Sequence, residues 1–140
     1  MTDVRPDVRE FFQRYQRAGD RLDGEALQGM FSSVFLSLDP KSAAAVSPHA
    51  LLAVLPRRKQ LFQAIGGDGL ELADISETPL DDLHTLVRTS WRLLMHDQAP
   101  RDPIFLLSTF ILRMEAGAWR IVLYLNHQDL AKLFGELTPA

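Results

Sequence analysis

Between Ile65 and Leu70 the spacing of apolar residues changes from that of helices to that of strands, and this change limits the fold more than any motif in the chain. In "VRPDVREFFQRYQRAGD" Val4, Val8, Phe11, Phe12 and Tyr15 recur at helical spacing, with Gly19 placed as a C-terminal stop. "EALQGMF" reads as a second, shorter helix, and "SVFLSL" as a strand ended by the turn pair Asp39-Pro40. Ser47 is placed as the N-cap of a third helix with Pro48 at its first position. Pro56 interrupts that helix, "HALLAVLPRRKQLFQAI", and predicts a kink or two short helices, because proline lacks the N–H and clashes one turn back. From Leu70 onward "LELADISE", "DLHTLVRTSWRLLM", "PIFLLSTFILRME" and "AWRIVLYLNH" are separated by the turn formers "TPLD", "DQAPRD" and "AG", which is the pattern of an antiparallel meander. Helices first and sheet second predict an α+β fold, organised as one domain over residues 1–140.

Strict alternation assigns the faces of the sheet. Trp119, Ile121, Leu123, Leu125 and His127 are predicted on one face of the last strand, with Arg120, Val122, Tyr124 and Asn126 on the other. Val87, Thr89, Trp91 and Leu93, and Ser108, Phe110, Leu112 and Met114, form the apolar sides of the two preceding strands. The helices are expected to cover this side. The opposite face, half polar but carrying Ile111, Val122 and Tyr124, is a reasonable seat for a second copy of the chain, so a homodimer through the outer sheet face is expected.

Composition removes whole classes of function. With 140 residues, 46% of them hydrophobic, the chain is long enough for one sizeable core. A net charge of -3 argues against a general nucleic-acid binder, which needs clustered cations to neutralise phosphates. There is no Cys, which excludes thiolate chemistry and suits a reducing cytoplasm, the expected location. No apolar run approaches the roughly 20 residues of a membrane helix, so no membrane partner is expected. His49, His84, His96 and His127 stand 35, 12 and 31 residues apart, without the close pairs that build a zinc site. Neither a metal nor a cofactor is expected.

Several of these pieces together resemble the nuclear transport factor 2-like superfamily, which includes SnoaL-like cyclases and ketosteroid isomerases: Gly19-Asp20 after the first helix, Met30-Phe31 before the first strand, Asp39-Pro40 at its end, and the hairpin "GAWRI" of residues 117 to 121. The resemblance covers nearly the whole chain. It implies three N-terminal helices packed in a strongly curved antiparallel sheet, a cone with a mostly apolar pocket open at one end. Its members include enzymes and non-enzymatic binding modules, so it leaves function open. Likeness to ketosteroid isomerase implies Asp39 as a base before Pro40, assisted by a Tyr on the first helix and an acid on a late strand. Phe12 occupies that helix position, Tyr15 lies one turn later, and the late strand offers no carboxyl group. Each missing oxyanion donor removes about 3 to 4 kcal/mol of transition-state stabilisation, so steroid isomerisation is not expected.

His127 and Asp39 are the candidate catalytic residues. An imidazole at the rim of an apolar pocket can exchange protons near neutral pH, and a facing carboxylate would orient it. Each has a structural reading beside it: Asn126 and Asp129 can cap a short helix "QDLAKLF", and Asp39 can close a turn. Phe12, Tyr15, Trp91, Phe110 and Trp119 are the candidate ligand-binding aromatics, at a spacing that serves core and pocket wall equally. Arg57, Arg58 and Lys59 could attract an anion if Pro56 opens a new helix, but three adjacent basic residues spread around a helix and read as a solvated face. The preferred function is binding of a small apolar or aromatic molecule. The alternative is a lyase, isomerase or cyclase that uses His127 and Asp39 for proton transfer.

Overall fold

The computed structural model describes residues 3–97 and 102–137. The turn expected over "DQAPRD" lies largely outside them. Helix α1 (Pro6–Arg21) buries Val8, Phe11, Phe12 and Ala18 along one face and has Pro6 and Asp7 in its first turn, where a missing N–H costs nothing and a carboxylate meets the positive helix end. It runs past the expected stop at Gly19. Leu22 takes the left-handed conformation instead (φ 50), and the N–H groups of Leu22 and Asp23 close on the carbonyls of Gly19 and Ala18. Helix α2 (Gly24–Met30) starts from Asp23, whose side chain accepts the Ala26 N–H at 3.1 Å.

Strand β1 (Phe31–Leu38) is followed by a short edge strand the sequence pattern does not announce, β2 (Ala43–Val46), because the Asp39 turn folds the chain straight back on β1. Helix α3 (Pro48–Ala64) is capped by Ser47 as expected, but it continues through Pro56 as one helix rather than two. The meander then follows as β3 (Gly67–Pro79), β4 (His84–Met95), β5 (Phe105–Glu115) and β6 (Ala118–Asn126), and α4 (Leu130–Leu137) closes the described chain. The sheet order is β2-β1-β6-β5-β4-β3. Every pair is antiparallel except β1 with β6, so the sheet is mixed. The concave side wraps α1: Phe11, Phe12, Phe110, Leu112 and Ile121 have no exposure at all. A second cluster, Ile65, Leu93 and Phe134, joins α4 to the wide end, with the rings of Phe134 and Phe62 4.7 Å apart.

One irregularity reverses the expected faces of β6. Leu112 pairs with Ile121, but the next residue back, Ile111, pairs with Leu123, leaving Val122 as an extra residue in the strand. Side chains have period two, so one inserted residue exchanges the faces beyond it. Trp119 and Ile121 point inward as expected. Past the bulge Tyr124 and Asn126 point inward instead of Leu123, Leu125 and His127, and Asn126 is buried while His127 is exposed. The narrow end of the cone is tied by an ion pair: Arg5 gives its backbone N–H and guanidinium to the fully buried Glu77 carboxylate, which also accepts the Thr85 hydroxyl at 2.6 Å.

Candidate functional site

Between α1, α3 and the inner face of the sheet lies a cavity of about 560 Å³. Its aromatic wall comes from Tyr15 on α1, Trp91 on β4, Phe110 on β5 and Tyr124 on β6. Ring centroids lie 5.6 Å apart for Tyr15–Phe110, 5.9 Å for Tyr15–Trp91 and 5.1 Å for Phe110–Tyr124, so these rings hold one another. The Trp91 indole donates to the Thr89 hydroxyl at 2.7 Å, which leaves only its apolar surface for the cavity. Leu55 and Phe62 of α3 and Leu70 of β3 complete the apolar lining. A second cavity of about 390 Å³ continues toward the β1–β2 turn and shares Tyr15, Phe31, Leu51, Arg58, Tyr124 and Asn126 with the first.

Arg58 stands where the two cavities meet. Its guanidinium donates to the Tyr124 hydroxyl at 2.9 Å and lies 5.9 Å from that ring's centre. The Tyr124 oxygen raises the Arg58 pKa further, against the opposing effect of burial. Burial, and then Tyr124, push the Tyr15 phenol well above its usual range, so it is a proton-bearing donor at any physiological pH. At the opposite mouth Asp20 approaches Gly69, where a Cβ would meet its Oδ1 at 3.2 Å; φ is +98 there, so the backbone shape and the close approach both call for glycine. Burial raises the Asp20 pKa, the Leu70 N–H opposes this, and neighbouring Asp68 adds to it.

The expected site residues separate. Tyr15, Trp91 and Phe110 line the cavity. Phe12 does not, being wholly buried behind Phe110 with ring centres 4.9 Å apart. Trp119 lies at the narrow end, its indole donating to Asp7 at 2.9 Å and its ring 5.2 Å from the Arg5 guanidinium. His127 lines neither cavity: the bulge at Val122 turns it to the outer face, where Nε2 lies 2.7 Å from the Thr109 hydroxyl. Asn126 does not cap a helix either. Asp129 does so, accepting the Lys132 N–H at 3.2 Å, and Asn126 lines the cavity instead. Asp39 lines the smaller cavity but is occupied by its turn, accepting from the Lys41 N–H at 2.8 Å, the Ser42 N–H at 2.9 Å and the Ser42 hydroxyl at 3.1 Å. The Lys41 N–H foremost, then Ser42, hold the Asp39 carboxyl below its usual range although slight burial opposes them. No hydrogen bond joins Asp39 to His127, and none of the described residues forms a metal-binding cluster.

Tyr124, Asn126 and Arg58 were not read as site residues, for two reasons. The bulge hid the first two. Arg58 was legible: Leu51, Leu55, Arg58, Phe62 and Ile65 follow one another by four, three, four and three residues, a single helix stripe on which the arginine is the only charge.

No protein-family model and no curated protein matches the sequence. Solved structures do match. An NTF2-like protein with a cystatin-like fold from Novosphingobium aromaticivorans aligns over 96% of this chain and 88% of its own with a TM-score of 0.70 and 17% identity. Aln2 from a Streptomyces species aligns over 96% of this chain and 99% of its own, TM-score 0.72, 13% identity. An NTF2-like protein of unknown function from Shewanella oneidensis aligns over 87% and 97%, TM-score 0.67, 14% identity. With its mixed, curved six-stranded sheet wrapped around the long first helix, the chain has the NTF2-like, cystatin-like α+β fold.

Proposed function

We propose that this protein binds a small apolar or aromatic molecule in the cavity beneath Tyr15, Trp91 and Phe110. The observation that carries the reading is the cavity itself: about 560 Å³ lies within the range of small-molecule sites, and most of its wall surface is apolar. The proton-transfer alternative finds less support, because His127 faces outward and Asp39 holds a turn. The cysteine-free sequence suits a reducing cytoplasm.

Thermal unfolding with neutral bicyclic aromatics such as 2-naphthamide tests the proposal. At 100 times its dissociation constant a ligand stabilises the fold by about 2.7 kcal/mol, an easily measured rise in Tm. Leu106→Trp, which fills the cavity from β5, should abolish the rise, whereas His127→Ala should leave it unchanged. A rise that persists in Leu106→Trp, or none with any compound, removes the proposal.

The same reading includes a homodimer through the outer sheet face. Paired in register, Leu36, Leu123, Ile111 and Leu86 form an apolar row across β1, β6, β5 and β4. On the same face of β5, Phe105 and Leu107 are 43% and 48% exposed. Tyr124, expected on this face, is not part of it.

A further inference from the structure

Among the described residues, Arg58 in the cavity wall has no carboxylate paired with it, and Asp20 and Asp68 line the same cavity without an ion pair to it. Arg58 shares a helix stripe with Leu51, Leu55 and Phe62, and its hydrogen-bond partner among the described residues is a neutral phenol, Tyr124. The acids nearest along the smaller cavity are otherwise engaged: Asp129 with Lys41 at 3.0 Å, and Asp39 with its own turn. A half-buried guanidinium without a paired counter-charge is less favoured than a paired one, and a ligand anion supplies the missing charge. The Tyr15 hydroxyl lies in the same wall and makes no hydrogen bond to a described residue, so a second donor faces the same place.

We propose that the ligand is an aromatic or alicyclic monocarboxylate, its ring system against Trp91 and Phe110 and its carboxylate on Arg58 with the Tyr15 hydroxyl beside it. The assignment rests on the cavity reading above and deepens it. A planar carboxylate matches the two-pronged face of a guanidinium and forms short charge-assisted hydrogen bonds with it. One arginine balances one negative charge; a phosphate dianion would bring a second into a cavity whose lysine, Lys59, is exposed at the mouth and whose lining already carries the carboxylates Asp20 and Asp68. Lys59, at the cavity mouth and exposed, adds attraction on entry rather than a seat.

Calorimetric titration with 2-naphthoate and its neutral isostere 2-naphthamide at neutral pH and low salt tests the proposal. The carboxylate should bind about tenfold tighter or better. Arg58→Met should erase that preference and Arg57→Met, on the exposed side of the same turn, should keep it. Should Arg58→Met fail to fold, the Arg58 Nε–Hε resonance of the unaltered protein should shift with naphthoate and not with naphthamide. Equal affinity for the two compounds, a preference that survives in Arg58→Met, or an unmoved resonance overturns the carboxylate assignment while the apolar pocket stands. Binding of neither compound removes the pocket reading and the assignment with it.

Discussion

Arg5, Glu77 and Thr85 show how much a single buried carboxylate can carry. Burial alone would raise the Glu77 pKa, but the Arg5 side chain, the Arg5 N–H and the Thr85 hydroxyl together hold it below its ordinary value of 4.5. Because the folded carboxyl gives up its proton at lower pH than the unfolded one, the unfolded chain binds more protons in the window between the two values. The contribution to stability is whole above about pH 4.5 and is lost as pH falls through the lowered folded value. Urea midpoints of the unaltered protein should therefore fall between pH 5 and pH 3, with a shallower fall in Glu77→Gln; parallel curves would refute the assignment. Asp20, with its raised pKa, acts in the opposite sense, since protonation relieves its burial, so the two groups must be separated by variants. Arg5→Ala strips the guanidinium bonds from a carboxylate with no exposure, at a cost of about 2 to 3 kcal/mol. Glu77→Gln should cost less, because Arg5 is nearly half exposed and turns to water.

Among the elements, β6 decides the site. The hairpin before it follows from local rules: Ala116 and Gly117 both have positive φ (50 and 81), as in the two-residue turn that matches the twist of paired strands. Its apolar composition announces a strand with equal clarity. What composition does not announce is the extra residue at Val122, because Val, Leu and Tyr on both sides suit either face. Deleting Val122 removes the unpaired residue and leaves Leu123 against Ile111 and Tyr124 against Phe110, so the observed faces of the strand are kept in unbroken alternation. The expected result is that ligand binding survives the deletion, with any loss of stability by chemical denaturation below about 3 kcal/mol. A folded deletion variant that no longer binds ligand would mean that the bulge shapes the cavity by more than the faces it sets. The third helix teaches the converse. Its stripe places Arg58 inward by arithmetic alone, yet three adjacent basic residues look like a solvated surface unless each is assigned its own side of the helix.

For the whole molecule, the outer sheet face carries the proposed self-association. The row from Leu36 to Leu86 is flanked by Arg88, Arg92 and Arg113, so an apolar centre has a charged rim. Light scattering during gel filtration should give twice the chain mass, and Leu107→Lys should return it to one with the fold intact by circular dichroism. A monomer at every concentration removes the dimer. Apart from β2, the order of elements, the α+β class and the apolar stripes up to the bulge in β6 could be read from the chain, because helix and strand periodicities are local and survive without knowledge of the partner surface. The pocket could not. A cavity is what packing leaves over, and its chemistry here turns on which way three side chains point. His127 was turned out and Tyr124 turned in by one unpaired residue in a strand register, and Arg58 met the Tyr124 hydroxyl only when α3 docked on the sheet. Register and docking are set by contacts between residues distant in the chain, so only the folded structure could settle them.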